Sequence, residues 1–341
     1  MLAAFKYAGF AARSINALVP DLLPVFAPAL PLGISFYVFT AIGYLADVSC
    51  GKVAAARSPF RFFVFLAFFG HGPSGPIVRY DQQLPCLDAK AAERQVSLDR
   101  FCYGIKRFVL GLAKKAIIAD QLALIYSRVT SVPAATVPAP ALVLGYLAYM
   151  MQLYFDFSGY SDMAIGIGSF FGLELPENFN YPYLSCSVGE YWRRWHMSLS
   201  GWFRDYVYIP LGGSRCSLEK NCRNLLIVFL LTGLWHGAAW QYVAFGLLHG
   251  VLLCLERLGL RKFLQCIPPF FAHAYTLVVL WFTLIIFGAH GLAEGLAAWK
   301  GILSWQSGAQ GYTAAAFADT KLMVLLAASL LLCGPLQACF P

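Results

Sequence analysis

Apolar residues gather in long runs along this chain, and the polar residues that interrupt them are mostly basic. Ala27 to Ala46, Ala139 to Phe155, Leu225 to Trp235, Ala238 to Leu255, Phe270 to Gly288 and Lys321 to Cys333 reach or approach the length of a membrane span. A bilayer core about 30 Å thick needs roughly 20 mostly apolar residues per helix. Composition agrees: 59% of the 341 residues are hydrophobic and 12% charged, with a mean hydropathy of +0.64, where soluble domains carry about a quarter charged residues. The pattern predicts an all-α, polytopic integral membrane protein. With no internal repeat or low-complexity segment, residues 1–341 read as a single domain.

The net charge of +8 would suggest nucleic acid in a soluble protein, but its placement has a simpler reading. Basic residues cluster at Lys52, Arg57 and Arg61; between Arg79 and Lys115, around Arg94; from Arg193 to Arg223; and at Arg257, Arg261 and Lys262. The linkers Thr130 to Pro140 and Ala289 to Thr320 hold one basic residue between them, Lys300. Cytoplasmic loops carry the Lys and Arg excess, so the four clusters are expected inside and the two linkers outside.

Shorter segments fill in the organisation. RFFVFLAFFGHGPSGPIVRY has about a dozen apolar residues before a Gly and Pro break, too few to span, and both flanks are basic; a re-entrant hairpin fits. Arg100 to Ser127 reads as one helix, basic then apolar. ALVLGYLAYMMQLYFDFSGYSDMAIGIGSFFGL reads as two helices joined near FSGYSD, where Ser158, Gly159 and Ser161 offer turn and cap chemistry. The opening MLAAFKYAGFAARSINALVP has neither the apolar core nor the cleavage site of a signal peptide and reads as a worn first helix. Ten scattered cysteines without CxxC pairs point to reduced thiols.

Two histidines stand out as chemistry. Wound as one helix at 100° per residue, GEYWRRWHMSLSGWFRDYVYIPLGG puts Trp192, Trp195, Leu199, Trp202, Phe203 and Tyr206 on one side and Arg193, His196, Ser200 and Arg204 on the other. An interfacial amphipathic helix is the plain reading; the functional one has His196 among arginines on the path of an anionic or carrier-borne substrate. In NLLIVFLLTGLWHGAAW, the stretch from Leu225 to His236 covers roughly 18 Å at 1.5 Å per residue, which takes His236 past the bilayer midpoint from the basic side. A titratable group at that depth is costly and a functional candidate by default. A neutral imidazole there can take a proton from an attacking hydroxyl; the alternative is a core histidine bonded to nearby carbonyls.

The remaining polar candidates read as structural. His249 suits helix packing, His273 and His290 the helix ends, and His71 either the cavity lining or a turn. Asp156 and Asp162 bracket FSGYS in an apolar block and are expected to support the helix break there. There is no phosphate-binding Gly-rich loop, no GxSxG elbow and no HExxH, so nucleotide hydrolysis, soluble-type serine hydrolysis and zinc proteolysis lack support, and no metal is expected.

The strings PLGISFYVFTAIGYLADV, SGPIVRY, YFDFSGYSDMAIGIGSFFGL, LPENFNYPYL, EYWRRWHMSLSGWFRDYVYIPLGG and LTGLWHGAAWQYVAFGLLHG, in order across residues 31–250, resemble the membrane-bound O-acyltransferases. The branch they are similar to includes alginate O-acetylation and lipoteichoic-acid D-alanylation proteins. The resemblance implies a ring of tilted helices around a thin central funnel with re-entrant segments. It also implies catalytic roles for His236, in WHG, and His196, in RRWH. Family members usually begin with further membrane helices ahead of the region matched by residue 1, so the chain reads as a shortened member. FFGHGPSGPIVRY departs from the family's usual Pro and hydrophobic pair before GPI.

On that resemblance, the expected activity is acyl transfer to a hydroxyl at the bacterial inner membrane, with Arg193, Arg194, Ser200 and Arg204 along the substrate path. The donor would be a thioester, acetyl-CoA or an acyl carrier, used as substrate with no bound cofactor. The partners would be an extracytoplasmic acetyltransferase or other polysaccharide-modification proteins, the polysaccharide acceptor and membrane lipid, with no nucleic acid. LPENFNYPYL and FRDYVYIPLGG stand closer to the alginate-type branch, which favours acetate over D-alanine. Teichoic-acid D-alanylation and a non-catalytic transporter or assembly scaffold are the competing readings.

Overall fold

The computed structural model describes residues 2–26, 28–29, 31–68, 75–83, 97–309, 312–334 and 336. His71, the rest of the stretch 69–74, and Arg94 lie outside the described residues. The described chain is all-helical, with no strand. In order the helices are α1 (Leu2–Asn16), α2 (Ile34–Ser49), α3 (Pro59–Leu66), α4 (Leu98–Ala113), α5 (Asp120–Thr130), α6 (Ala139–Phe170), α7 (Val188–Arg194), α8 (Met197–Phe203), α9 (Leu218–His236), α10 (Trp240–Leu255), α11 (Arg261–Cys266), α12 (Pro269–Gly288), α13 (Leu292–Leu303) and α14 (Thr320–Leu332). Two described helical runs, Trp240–Cys266 and Pro269–Gly288, are long and apolar enough to cross a bilayer, and α2 and α14 are apolar but shorter.

The expected break at FSGYSD does not form: α6 runs unbroken for 32 residues, about 48 Å at 1.5 Å per residue. Gly159 is there for close approach to a neighbouring helix. A Cβ on Gly159 would come within 2.7 Å of the Gly111 carbonyl on α4, and one on Gly166 within 2.6 Å of Gly104, with Gly104 and Gly111 facing back the same way. Gly104 and Gly111 on α4 thus pair in antiparallel register with Gly166 and Gly159 on α6. Small residues at such positions are what let membrane helices pack backbone to backbone. Gly233 of α9 and Gly246 of α10 make a second contact of this kind.

With the helix intact, Asp156 and Asp162 bond to cations on a neighbouring helix instead of capping a break. A π-type turn at Lys114–Ala119 joins α4 to α5 and aims two consecutive lysines at different carboxylates. Lys114 Nζ lies 2.6 Å from Asp162 Oδ2, and Lys115 Nζ 2.9 Å from Asp156 Oδ1. Arg107 joins this node, 2.6 Å from the buried Asp162 Oδ1 and 2.7 Å from the half-exposed Glu177. A buried carboxylate persists only when paired in this way.

Contacts also group the loops. The two Lys- and Arg-poor linkers bond to each other: Gln306 Nε2 donates to Ala134 O at 2.7 Å, Ala309 N to Thr136 O at 2.8 Å, and Glu294 Oε1 accepts from Ala134 N at 2.6 Å. The basic segments are joined likewise, through Lys52 to Asp81 at 2.9 Å and Arg79 to Asp205 at 2.5 Å.

Candidate functional site

The site is organised by a chain reversal that the single-helix reading of Gly189 to Gly213 missed. Ser187 caps α7, its hydroxyl accepting from Glu190 N at 3.1 Å while the Glu190 carboxylate accepts from Cys186 N at 3.0 Å, a capping-box arrangement. The buried Glu256 carboxylate accepts from Val188 N at 2.6 Å and Gly189 N at 3.1 Å. The helix then stops: Trp195 is extended, and His196 takes the left-handed conformation, φ 45° and ψ 53°, one uncommon outside glycine. α8 starts afresh at Met197.

The reversal is held from the extended segment before it. The Asn178 carbonyl accepts from Met197 N at 2.9 Å, and Asn180 N donates to Arg194 O at 2.9 Å. The consequence is a correction to the helical-wheel partition. The aromatic residues Trp192, Trp195, Trp202 and Phe203, with Leu199, are buried in the protein core and do not face a membrane interface. His196 is 1% exposed and leaves the arginines, packing edge-on against Phe157 at 4.7 Å and near Trp235 at 5.9 Å.

His236 is the last residue of α9. Its ring stands among Trp235, Phe287 and Phe245 at 5.0, 5.1 and 6.2 Å and lines a cavity of about 320 Å³ together with Asp156, Tyr160, Trp192 and Trp195. No hydrogen bond engages its nitrogens among the described residues, which leaves both available to a molecule in the cavity. From α1, Tyr7 Oη donates to Leu234 O at 2.7 Å and Lys6 Nζ to Trp235 O, closing off the helix end that carries His236.

A second cavity, about 490 Å³, lies on the other side of Trp192. Of the four substrate-path candidates Arg193, Ser200 and Arg204 line it, and Arg257, Arg261, Glu256 and Thr232 join them. Arg194 does not: it bonds to Glu190 Oε1 at 2.9 Å and to Asn180 O at 3.2 Å. Beside this cavity Asp205 is gripped by Arg204 at 2.7 Å and Arg79 at 2.5 Å. Burial works to raise its pKa, but those two arginines outweigh burial and hold the carboxyl below its usual range. Among the described residues no three His, Cys, Asp or Glu side chains converge as metal ligands.

The family model for membrane-bound O-acyltransferases matches residues 55–298, a stretch containing both histidines and all the lining residues of the two cavities except Phe36. The chain belongs to the membrane-bound O-acyltransferase family. Its O-acyltransferase relatives include a protein named "Probable alginate O-acetylase AlgI" from Azotobacter vinelandii, 45% identical over 261 residues, covering 75% of this chain and 51% of that protein. The protein of the same name from Pseudomonas putida is 43% identical over 298 residues, covering 86% and 60%. A peptidoglycan O-acetyltransferase of Helicobacter pylori is 34% identical over 330 residues, covering 89% and 62%. The chain thus spans about half to three fifths of the length of these relatives. Membership makes it an integral membrane protein.

In this member of the membrane-bound O-acyltransferase family, Asn178, Arg257 and Arg261 escaped the sequence reading as site residues. Arg257 and Arg261 were visible only as a basic cluster, since the kink at Gly259, φ 142°, that sets them over the cavity is a backbone event. Asn178 lies in the quoted LPENFNYPYL string, but its reach to His196 is a tertiary contact.

Proposed function

We propose that this chain is the membrane part of an O-acyltransferase that carries acetyl groups from a cytoplasmic thioester toward an exported polysaccharide. The observation that carries the reading is the shared wall: Trp192 borders both the arginine-lined cavity and the His236 cavity. A thioester whose anionic handle sits among Arg193, Arg204, Arg257 and Arg261 can extend its acyl end past Trp192 toward His236. The attacking hydroxyl approaches from the other side. Its proton passes to His236 as the new C–O bond forms, the C–S bond breaks, and the thiolate leaves and takes up a proton. His196 assists that proton transfer or positions the donor.

In this reading the chain crosses the bacterial inner membrane several times as a ring of tilted helices around a thin centre. The bonds among the basic segments and between the two neutral linkers support the basic side as cytoplasmic. The acetyl group passes onward to an extracytoplasmic acetyltransferase or directly to the polymer. Acetate is preferred to D-alanine because relatives 45% and 43% identical to this chain bear acetylase names.

The deciding measurement is ester-linked acetate and D-alanine in envelope polymers, with the gene, without it, and with His236→Ala in its place. Loss of acetate in the last two, with His236→Ala still inserted, is expected. General-base removal costs about 10² to 10⁴ in rate, so the defect should be plain. Loss of D-alanine alone would reject the acetyl assignment, and near-normal transfer by an inserted His236→Ala protein would reject the mechanism.

A further inference from the structure

We infer that Asn178 is the positioning residue that fixes the tautomer of His196, leaving Nε2 as an unprotonated acceptor for the reaction; the inference rests on the acyl-transfer reading above. Asn178 is fully buried. Its Oδ1 accepts from the backbone N–H of Ser198 at 3.2 Å and from the Ser198 hydroxyl at 2.9 Å, while its Nδ2 donates to Ser161 Oγ at 3.3 Å. A backbone N–H can only donate, so the amide orientation follows from chemistry: the oxygen faces Ser198.

The same oxygen lies 3.1 Å from His196 Nδ1. An amide oxygen has no proton to give, so Nδ1 must carry the hydrogen and donate it, and a neutral imidazole then has its lone pair on Nε2. That atom is buried and has no hydrogen-bond partner among the described residues. Buried polar atoms are rarely left so, and here the geometry that leaves it so is heavily determined. The left-handed backbone of His196, the restart of the helix at Met197 and the two bonds from Ser198 all come from Asn178 or serve its grip on His196.

His196 and His236 both lie near the Trp235 ring, at 5.9 and 5.0 Å. A free Nε2 at that place accepts a hydrogen bond or a proton from a transient group; no covalent bond changes at Asn178. The opposite tautomer would present an N–H there and could not accept. Asn178 therefore acts through His196 and touches no reactant itself.

The test is ¹⁵N-histidine NMR on the full chain in nanodiscs, with the His196 resonances assigned by their disappearance in His196→Gln. Expected is a His196 protonated on Nδ1 in the native chain and a mixture of tautomers in Asn178→Leu, which keeps the backbone bond but loses the acceptor. In turnover, Asn178→Leu should lower kcat by between about 10- and 10⁴-fold, from loss of a positioning partner to an outright wrong tautomer, with the donor KM unchanged. Asn178→Asp, which retains an acceptor, should restore most of the loss, and Asn178→Leu should cost nothing further in the His196→Gln background. Should the leucine variant fail to insert, the native tautomer and the aspartate variant still decide. A native His196 protonated on Nε2, with turnover lost in His196→Gln, would overturn the Asn178 assignment alone. Full turnover in His196→Gln would overturn the role of His196 and, with it, that of Asn178.

Discussion

Trp192 donates its indole N–H to His249 Nδ1 at 3.1 Å, and that bond fixes the wall between the arginine-lined cavity and the cavity of His236. The indole can only donate, so His249 Nδ1 accepts and its Nε2–H donates to Thr283 Oγ1 at 3.1 Å, whose hydroxyl passes on to Leu280 O at 2.8 Å. Every polar atom in this buried chain is satisfied. His249→Ala should leave the Trp192 donor unpaired, at a cost of about 1–3 kcal/mol, and loosen the partition. The check is thermal stability together with the ratio of free acetate to ester formed. A lower melting temperature and more hydrolysis per transfer are expected; native values for both would mean the wall does not depend on His249.

The helix contacts make a prediction independent of activity. A Cβ on Gly111 runs into the Gly159 carbonyl and the Met163 backbone, whereas one on Gly291 meets nothing within 4 Å. Gly111→Ala should therefore destabilise the α4 and α6 pair by about 1–3 kcal/mol, the usual range for overpacking, and Gly291→Ala should be nearly silent. Yield of inserted protein and melting in detergent distinguish them. Equal behaviour of the two variants would contradict the close backbone packing.

Legibility from the sequence followed the range of the interactions. The apolar runs forecast an all-helical membrane chain, because helix formation and hydropathy depend on neighbours in sequence. Within the structure the two Lys- and Arg-poor linkers touch each other, and basic segments touch basic segments. What failed was decided at a distance. FSGYSD carries turn residues, yet Gly159 answers to Gly111 on another helix. The Gly189 to Gly213 wheel separates cleanly, yet Asn178 breaks the helix at His196. Arg194 and Arg193 look alike in sequence, and only Glu190 and Asn180 take the former away from the cavity.

The four cavity arginines should bind donor without favouring its transition state. Arg257→Gln and Arg261→Gln should each raise the donor KM several-fold with kcat little changed, the signature of lost uniform binding. Arg194→Gln should leave KM alone and lower stability, since its partners are Glu190 and Asn180. Steady-state kinetics over a range of donor concentration would show it; a kcat defect without a KM change in Arg257→Gln would place that side chain in the chemistry instead.

Asp205 gives a pH dependence with a definite sign. Burial works to raise its folded pKa, but Arg204 and Arg79 outweigh burial and hold it below the ordinary carboxylate value. The stability it contributes is present above the unfolded value and is lost as pH falls through the lower folded value. Asp205→Asn should melt below the native protein at neutral pH, and the gap should close in strong acid. The carboxylate is partly exposed and screened, so the gap should also shrink with salt. Melting curves across pH at low and high ionic strength test it; a gap that widens on acidification would show the sign to be wrong.

The end of α9 links the first helix to the chemistry. A helix C-terminus leaves carbonyls without intrahelical donors and carries partial negative charge. Here Tyr7 and Lys6 of α1 supply the donors to Leu234 and Trp235, the two residues before His236, and Lys6 Nζ also donates to Ser35 Oγ of α2 at 3.1 Å. A cation at this end is worth about 0.3–1 kcal/mol when exposed and up to about 2 when partly buried, enough to decide how firmly the last turn is held. Lys6→Met should let that turn fray and misplace His236, lowering kcat with little effect on donor KM, while Lys6→Arg keeps the charge and most of the rate. Tyr7→Phe should act the same way but more weakly. Deuterium exchange at the Gly237 amide, bonded to Gly233 O at 3.4 Å, reads the fraying directly. Faster exchange there and a matching loss of kcat in Lys6→Met are expected; unchanged exchange with full turnover would leave α1 without a part in holding the catalytic histidine.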